Sequence, residues 1–271
     1  MVEYASCMSK PESVFATESF RIVIPARYAS TRFPGKALAL LDGRPLLQHV
    51  HERALASAAA EVVVATDDER IAEAARGFGA EVAMTHGDHH SGTDRIAEVA
   101  DQFGWNDDEV IVNVQGDAPF LPSADIGQVA GLLAGHETAS IATLCTPIET
   151  EAEYDDDHAV KVVFDRSGRA LYFSRAAIPA RAHGCHDLPQ AWRHVGIYAY
   201  RVDALRRLTA TPPCGIELSE KLEQLRAMWL GMEIRVAVAA EPLGPDVDTR
   251  DDLAAAERFI ASERATAGND G

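Results

Sequence analysis

The sequence predicts an α/β fold, a mostly parallel sheet flanked by helices, with a β-rich insertion placed to act as a lid or subunit contact. Three observations carry this prediction. Short β-branched apolar runs of the kind buried in parallel sheets recur at residues 21–24, 61–65 and 80–83. Segments with helix start and stop signals separate them, so the chain reads β-α-β-α-β. After residue 159 the alternation gives way to short strands around a glycine turn. The first part therefore forms a Rossmann-like sheet with right-handed crossovers, whose ligands bind beyond the carboxyl ends of the strands.

Composition narrows the function classes. At 271 residues and 47% hydrophobic content the chain can bury a full core, in one domain spanning about residues 20–262 with an insertion at about 159–200. Residues 1–19 and 263–271 read as tails, and the first of these lacks the apolar run of a signal peptide. A net charge of −17 excludes a broad nucleic-acid-binding face. No apolar run reaches the ~20 residues of a membrane span. The four cysteines, Cys7, Cys145, Cys185 and Cys214, lie far apart without a C-x-x-C pair, as expected of reduced thiols in a cytoplasmic protein.

In chain order, a strand at 21–24 runs into a loop that holds Arg27, Arg32 and Lys36 with the hydroxyls of Tyr28, Ser30 and Thr31. So concentrated a basic segment stands out in an acidic chain, and cations at the end of a first strand suit a polyphosphate. The spacing is neither a Walker A loop nor G-x-G-x-x-G. Pro45 opens a helix to about residue 59, and Thr66 or Asp67 caps a second ending near Gly77. Residues 85–95, THGDHHSGTDR, form a polar loop leading into a helix at about Thr93; Ser91 at its start is placed to donate to a nucleotide. His86, Asp88, His89 and His90 could hold a metal, but contacts with water or phosphate are the more ordinary expectation.

The most strand-like run, 108–114, ends in Gln115-Gly116-Asp117. An aspartate there can hold Mg²⁺ against phosphate oxygens, or can simply stabilise a turn. Residues 138–145 are another strand, and 149–157 a solvated acidic loop despite the metal-like Asp155-Asp156-Asp157-His158. A hairpin at 160–175 and a strand at 192–200 make up the insertion, in which His194 and Tyr198 share a face if the strand is regular. Residues 202–208 form a helix, and 217–230 an amphipathic one with Glu223 and Gln224 in its middle. After a last strand at 233–239, Asp248 either caps the final helix or meets Asp117 over a magnesium ion.

The run from Ile24 to Lys36, IPARYASTRFPGK, closely resembles the signature loop of the 3-deoxy-manno-octulosonate (Kdo) cytidylyltransferases. The resemblance continues in order through HSGTDR at 90–95, VNVQGD at 112–117, YFSR at 172–175, HVGIY at 194–198, LEQLR at 222–226 and Val247-Asp248-Thr249, covering residues 20–260. It implies transfer of CMP from CTP to an acidic acceptor, most directly Kdo, with release of pyrophosphate. It further implies nucleotide contacts from Ala26, Arg27, Arg32, Lys36, Ser91 and Gln115, and catalysis by Arg27, Lys36, Asp117 and Asp248. The two aspartates would carry Mg²⁺. Arg175 would hold the acceptor carboxylate, with Glu223, Gln224, His194 and Tyr198 on its hydroxyls, and the protein would be a homodimer paired through the insertion. Where the family's Gly-Asp-Glu-Pro carries Glu, this chain has Ala118. A small phosphonate such as phosphonoformate is the alternative acceptor, and a non-catalytic nucleotide-binding homologue the alternative to an enzyme.

Overall fold

A computed structural model of the chain describes residues 19–29, 32–185 and 187–267. Ser30, Thr31, Cys7 and most of the expected N-terminal tail lie outside the described residues.

The first half follows the predicted alternation. β1 (Phe20–Pro25) leads through the basic loop into a 3-10 turn at Lys36–Leu38. A two-residue hairpin of β2 (Leu40–Leu41) and β3 (Arg44–Pro45) then starts α1 (Leu46–Leu55). β4 (Glu61–Thr66), α2 (Glu69–Gly77) and β5 (Glu81–Met84) come next. The cap of α2 is Asp68, one residue later than expected, because Asp67 is turned toward the buried Arg95 at 3.0 Å. α3 (Gly92–Gln102) begins at Ser91, and β6 (Val110–Asn113) carries the four buried residues of the central strand.

α4 (Ser123–Ala134) is a helix beyond the expected elements. Its signal was present: Ile126, Val129, Ala130 and Leu133 recur at helical spacing and are all buried. β7 (Ile141–Pro147) follows, and the acidic segment contains a short helix, α5 (Glu151–Asp155), capped by Thr150. β8 (Lys161–Phe164) and β9 (Ala170–Ser174) form the predicted hairpin.

β10 (Trp192–Arg201) departs from expectation. It belongs to the central sheet rather than to the insertion, antiparallel between β6 and β7, and only its start touches β8, at Arg193 opposite Lys161. The chain closes with α6 (Val202–Thr209), α7 (Gly215–Glu220), α8 (Gln224–Trp229), β11 (Ile234–Val238) and α9 (Arg250–Ala267). The final helix thus runs past its expected end at residue 262.

The sheet order is β11-β7-β10-β6-β1-β4-β5, parallel except for β10. The chain moves from β1 outward through β4 and β5, then returns to the other side of β1 with β6. That reversal opens a crevice at the carboxyl ends of β1 and β6. The two loops there approach closely: a Cβ on Gly116 would stand 3.1 Å from the carbonyl oxygen of Pro25. One core lies on each face of the sheet, with Ile22, Ile24 and Val112 in one and Val23, Val63 and Ile111 in the other.

The predicted helix over 217–230 is two helices. Lys221 takes a left-handed conformation at φ 53° and ends α7, so α8 starts in a new direction. Glu217 on α7 and Arg226 on α8 then meet in a buried bidentate pair at 2.8 and 2.6 Å. Arg226 also donates to the carbonyls of Leu208 and Thr211, so the corner is internally satisfied.

Candidate active site

A cavity of about 380 Å³ occupies the crevice, and most of the predicted site residues line it. Its basic wall comes from the loop after β1. Phe33 anchors that loop in a small apolar cluster with Leu41, Phe120 and Val247, which sets Arg32 and Lys36 beside the start of α9. Gly35, at φ 70°, closes the loop through its amide on the Tyr28 carbonyl. Arg27 and Arg32 are exposed at the mouth. Ala26 contributes wall only, since its amide is committed to the Ala65 carbonyl at 2.8 Å.

Facing these cations are the two aspartates. Lys36 Nζ donates to Asp117 Oδ2 at 2.7 Å and to Asp248 Oδ1 at 3.0 Å, and Arg32 reaches Asp248 Oδ2 at 3.0 Å. The alternative helix-cap role of Asp248 is taken by its neighbour. Thr249 Oγ1 accepts from the Asp252 amide while Asp252 Oδ2 accepts from the Thr249 amide, which leaves the Asp248 carboxylate facing the cavity. A main-chain bond from Val247 N to Asp117 O, 2.9 Å, ties the two acidic loops together.

The carboxylates therefore converge on one point, already matched by an ammonium. An all-oxygen donor pair of this kind suits a hard divalent cation. Asp246, which the sequence reading missed, adds a third carboxyl nearby. Although its edge is exposed, it is surrounded by protein, and burial together with Asp117 and Asp248 pushes its pKa up to about 6.

The opposite wall carries Tyr198, Glu223 and Gln224, so the predicted acceptor residues share this cavity with the cations. Glu223 and Gln224 sit at the start of α8, turned inward by the break at Lys221; Gln224 is buried, against the plain expectation of exposure at mid-helix. Burial raises the pKa of Glu223, outweighing the hydrogen bond from Thr93 Oγ1 at 3.0 Å to its Oε2. Among the described residues its Oε1 accepts no hydrogen bond, Arg226 Nη2 standing 4.0 Å away, and neither does the buried Asn113 Oδ1 on the same cavity. Tyr200 also lines it, stacked on Tyr198 at 5.7 Å. The even spacing of 194, 198 and 200 on one strand was the available signal for Tyr200. Ser91 lines the cavity too, and its oxygen accepts from Asp94 N in a capping box. Its hydroxyl hydrogen stays available for donation.

His194 lies elsewhere, in the wall of a neighbouring cavity of about 410 Å³ that shares Gln115 and Asp117 with the first and is also lined by Ala118 and Asp246. A bulge explains the arrangement. Val195 pairs with Leu144 and Tyr198 with Thr143, so Gly196 and Ile197 are extra residues on β10. An even insertion preserves parity, and the His194 and Tyr198 rings meet at 5.2 Å as expected. Thr143 Oγ1 bridges the bulge, 2.7 Å from Ile197 O and 2.9 Å from His194 Nε2. Because its single hydrogen goes to a carbonyl, it must accept from an Nε2–H, which defines the neutral tautomer of His194.

Burial pushes the His194 pKa down to about 3, so the folded state keeps the ring neutral where an unfolded chain protonates it below about 6.5. The corresponding stability is complete above that pH and lost as pH falls from 6.5 toward 3. With one ring edge facing the cavity, the loss at pH 5 is expected to be about 1–2 kcal/mol. Urea melts at pH 7.5, 6 and 5 should show a shallower acid loss for His194→Gln than for the wild type. Parallel pH profiles would remove His194 from this role.

Gln115 Nε2 donates to Gly196 O at 2.7 Å, and a Cβ on Gly196 would meet that nitrogen at 2.6 Å. Gly196→Ala should therefore displace Gln115 and raise the KM for nucleotide by up to about ten-fold, with little change in melting temperature because only a flexible side-chain end must move. An unchanged KM would show that Gln115 does not contact the nucleotide.

Arg175 lines neither cavity. Its Nε donates to the Glu220 carbonyl at 2.8 Å and its Nη1 to the Asp157 carbonyl at 2.9 Å, so it joins β9 to the end of α7.

Comparison with known proteins places the chain in a family. The cytidylyltransferase family model matches residues 21–234. The chain is 51% identical over 253 residues to the 3-deoxy-manno-octulosonate cytidylyltransferase of Thioalkalivibrio sulfidiphilus, covering 89% of this chain and 99% of the relative. It is 52% identical over 257 residues to the enzyme of the same name from Alkalilimnicola ehrlichii, covering 91% and 98%. Among solved structures, CMP:2-keto-3-deoxy-manno-octonic acid synthetase complexed with CTP superposes with a TM-score of 0.85 at 42% identity, covering 91% of this chain and 100% of that one. The chain thus belongs to the 3-deoxy-manno-octulosonate cytidylyltransferase family.

Proposed function

We propose that the protein transfers CMP from CTP to the hydroxyl of 3-deoxy-manno-octulosonate, and that the residues converging on the crevice do this work. The acceptor oxygen forms a bond to the α-phosphorus of CTP while the bond from that phosphorus to the bridging oxygen breaks. Pyrophosphate leaves in line, and the acceptor proton passes to solvent. Arg27, Arg32 and Lys36 neutralise the phosphates and hold them for in-line displacement, which is most of what this chemistry requires. Ser91 and Gln115 orient the nucleoside. Asp117 and Asp248 would hold Mg²⁺, which when bound supplies charge neutralisation at the phosphates. Lys36 would then turn from the carboxylates to a phosphate.

One observation favours a polyhydroxy acceptor. Glu223 Oε1 and Asn113 Oδ1 are buried acceptors without hydrogen-bond partners among the described residues, on the same cavity as the cations. Buried acceptors are costly unless satisfied, and the hydroxyls of a sugar acid would satisfy them. Tyr198 and Gln224 complete that wall, with His194 behind Tyr198. Arg175 acts from the β9–α7 junction, either by positioning Glu223 and Gln224 or, after rearrangement, on the acceptor carboxylate.

A homodimer and a cytoplasmic setting belong to the same proposal. The β8–β9 hairpin presents Leu171 at 57% exposure, an apolar side chain suited to a subunit contact. No helix among the described residues is long and apolar enough to cross a membrane.

The test is pyrophosphate release with CTP and Mg²⁺ across Kdo, a sialic acid and phosphonoformate. Release with Kdo is the expected result. Release with phosphonoformate alone would move the acceptor assignment to a phosphonate, and silence with every acceptor would return the protein to nucleotide binding without transfer.

A further inference from the structure

Away from the aspartate pair, the loop after β5 and the second turn of α3 bring two imidazoles onto one carboxylate. His86 Nδ1 lies 2.8 Å from Glu98 Oε1, and His89 Nε2 lies 2.5 Å from Glu98 Oε2. The three potential ligand atoms all fall within 4.8 Å of one another. Ligands of a tetrahedral zinc ion bound at ~2.0–2.1 Å stand roughly 3.4 Å apart, so modest side-chain rotation suffices to seat an ion among them. The arrangement is not a solvated acidic patch. Glu98 and His89 are mostly covered, at 14% and 18% side-chain exposure, whereas His86 at 79% leaves a path from solvent.

We propose that His86, His89 and Glu98 form a binding site for a divalent transition ion of the zinc class, which clamps the loop after β5 onto α3. Two imidazoles and a carboxylate suit Zn²⁺, Co²⁺ or Ni²⁺, whereas Mg²⁺ prefers all-oxygen octahedral sites, so the aspartate pair in the crevice does not compete. As the ion enters, each imidazole nitrogen that faces Glu98 must present a lone pair. Any hydrogen it carries moves to the other ring nitrogen through solvent, and the carboxylate exchanges two hydrogen bonds for a metal bond. Asp88 lines the same open hollow, and a fourth position is left to solvent through the exposed His86 side. His89 also lines the nucleotide cavity, so the ion would stiffen one rim of the active site.

The experiment is calorimetric titration of untagged, nucleotide-free protein with Zn²⁺ in excess Mg²⁺, together with Co²⁺ titration read by visible absorption. The expected result is one tight equivalent of Zn²⁺ and a Co²⁺ ligand-field band of low-symmetry, nitrogen-containing coordination. Both should weaken by roughly ten-fold or more in His86→Ala and in Glu98→Gln. His86 is largely exposed and outside the nucleotide cavity, so His86→Ala should fold and keep its turnover with CTP and Mg²⁺. Equal Zn²⁺ binding by wild type and both variants would place the ion elsewhere, for example at the exposed Asp156, Asp157 and His158, and overturn the proposal. So would the absence of a stoichiometric equivalent in the wild type.

Discussion

Asp117→Asn, and independently Asp248→Asn, should abolish pyrophosphate release, with kcat falling by about 10³-fold or more while the protein stays folded. A loss of that size corresponds to ~4 kcal/mol of transition-state stabilisation, the scale expected when a group organising the charge at a phosphoryl centre is removed. Each variant keeps the shape of the side chain and removes one negative charge. Stability should change by at most about 1 kcal/mol, because the pairs with Lys36 are partly solvated, Asp248 at 39% and Asp117 at 26% side-chain exposure. The measurement is steady-state release with CTP, acceptor and varied Mg²⁺, beside a thermal melt of each variant. If either variant retained near-wild-type kcat with Mg²⁺, the metal role given to that aspartate would be wrong.

Glu217→Ala should produce the largest loss of stability, about 3 kcal/mol, because it leaves the buried Arg226 with only the Glu223 carboxylate, 4.0 Å away and not hydrogen-bonded, to offset its charge. For a domain of this size that amounts to a fall in melting temperature on the order of 10 °C. The side chains are 9% and 10% exposed, and a guanidinium stays protonated at any accessible pH, so the arginine cannot relieve the loss by giving up its proton. Replacing both partners by apolar residues, Glu217→Leu with Arg226→Met, should recover much of the loss. Since this pair holds the corner that turns Glu223 and Gln224 into the cavity, Glu217→Ala should also raise the KM for the acceptor more than that for CTP. A loss below ~1 kcal/mol would show that the pair is not structural. Equal effects on the two KM values would separate the corner from the acceptor wall.

Both predictions rest on features that differ in how far the sequence reveals them. The strands β1, β4 and β5, the helices between them, and the basic loop from Arg27 to Lys36 were legible because their signals are local. β-branched runs, capping residues and a glycine turn act within a few positions. Asp117 followed from the same logic, since an aspartate directly after a central strand can only lie near the crevice.

The break at Lys221 was not legible in this way. Residues 217–230 have the pattern of one amphipathic helix, and in such a helix nine residues advance about 13.5 Å, too far for Glu217 to reach Arg226. The buried ion pair exists only because the chain leaves the helix at Lys221, and no local propensity encodes a contact between separate helices. The bulge at Gly196 and Ile197 is a similar case. It depends on Thr143 from another strand accepting from His194 and bonding the bulged backbone, and on Gln115 filling the space that a side chain at 196 would occupy.

The sequence by itself therefore determined the α/β class, the basic loop and its facing aspartates, and, through motif resemblance, the reaction. Tertiary structure alone decided which face of each polar residue meets the cavity. It gave Thr249 the capping role and left the Asp248 carboxylate to Lys36 and Arg32, turned Gln224 inward, added Asp246 and Tyr200, and drew Arg175 away to the β9–α7 junction. The physical reason is range: secondary structure and loop chemistry are set by neighbours in sequence, whereas a side chain's partner is set by whatever distant backbone folding brings beside it.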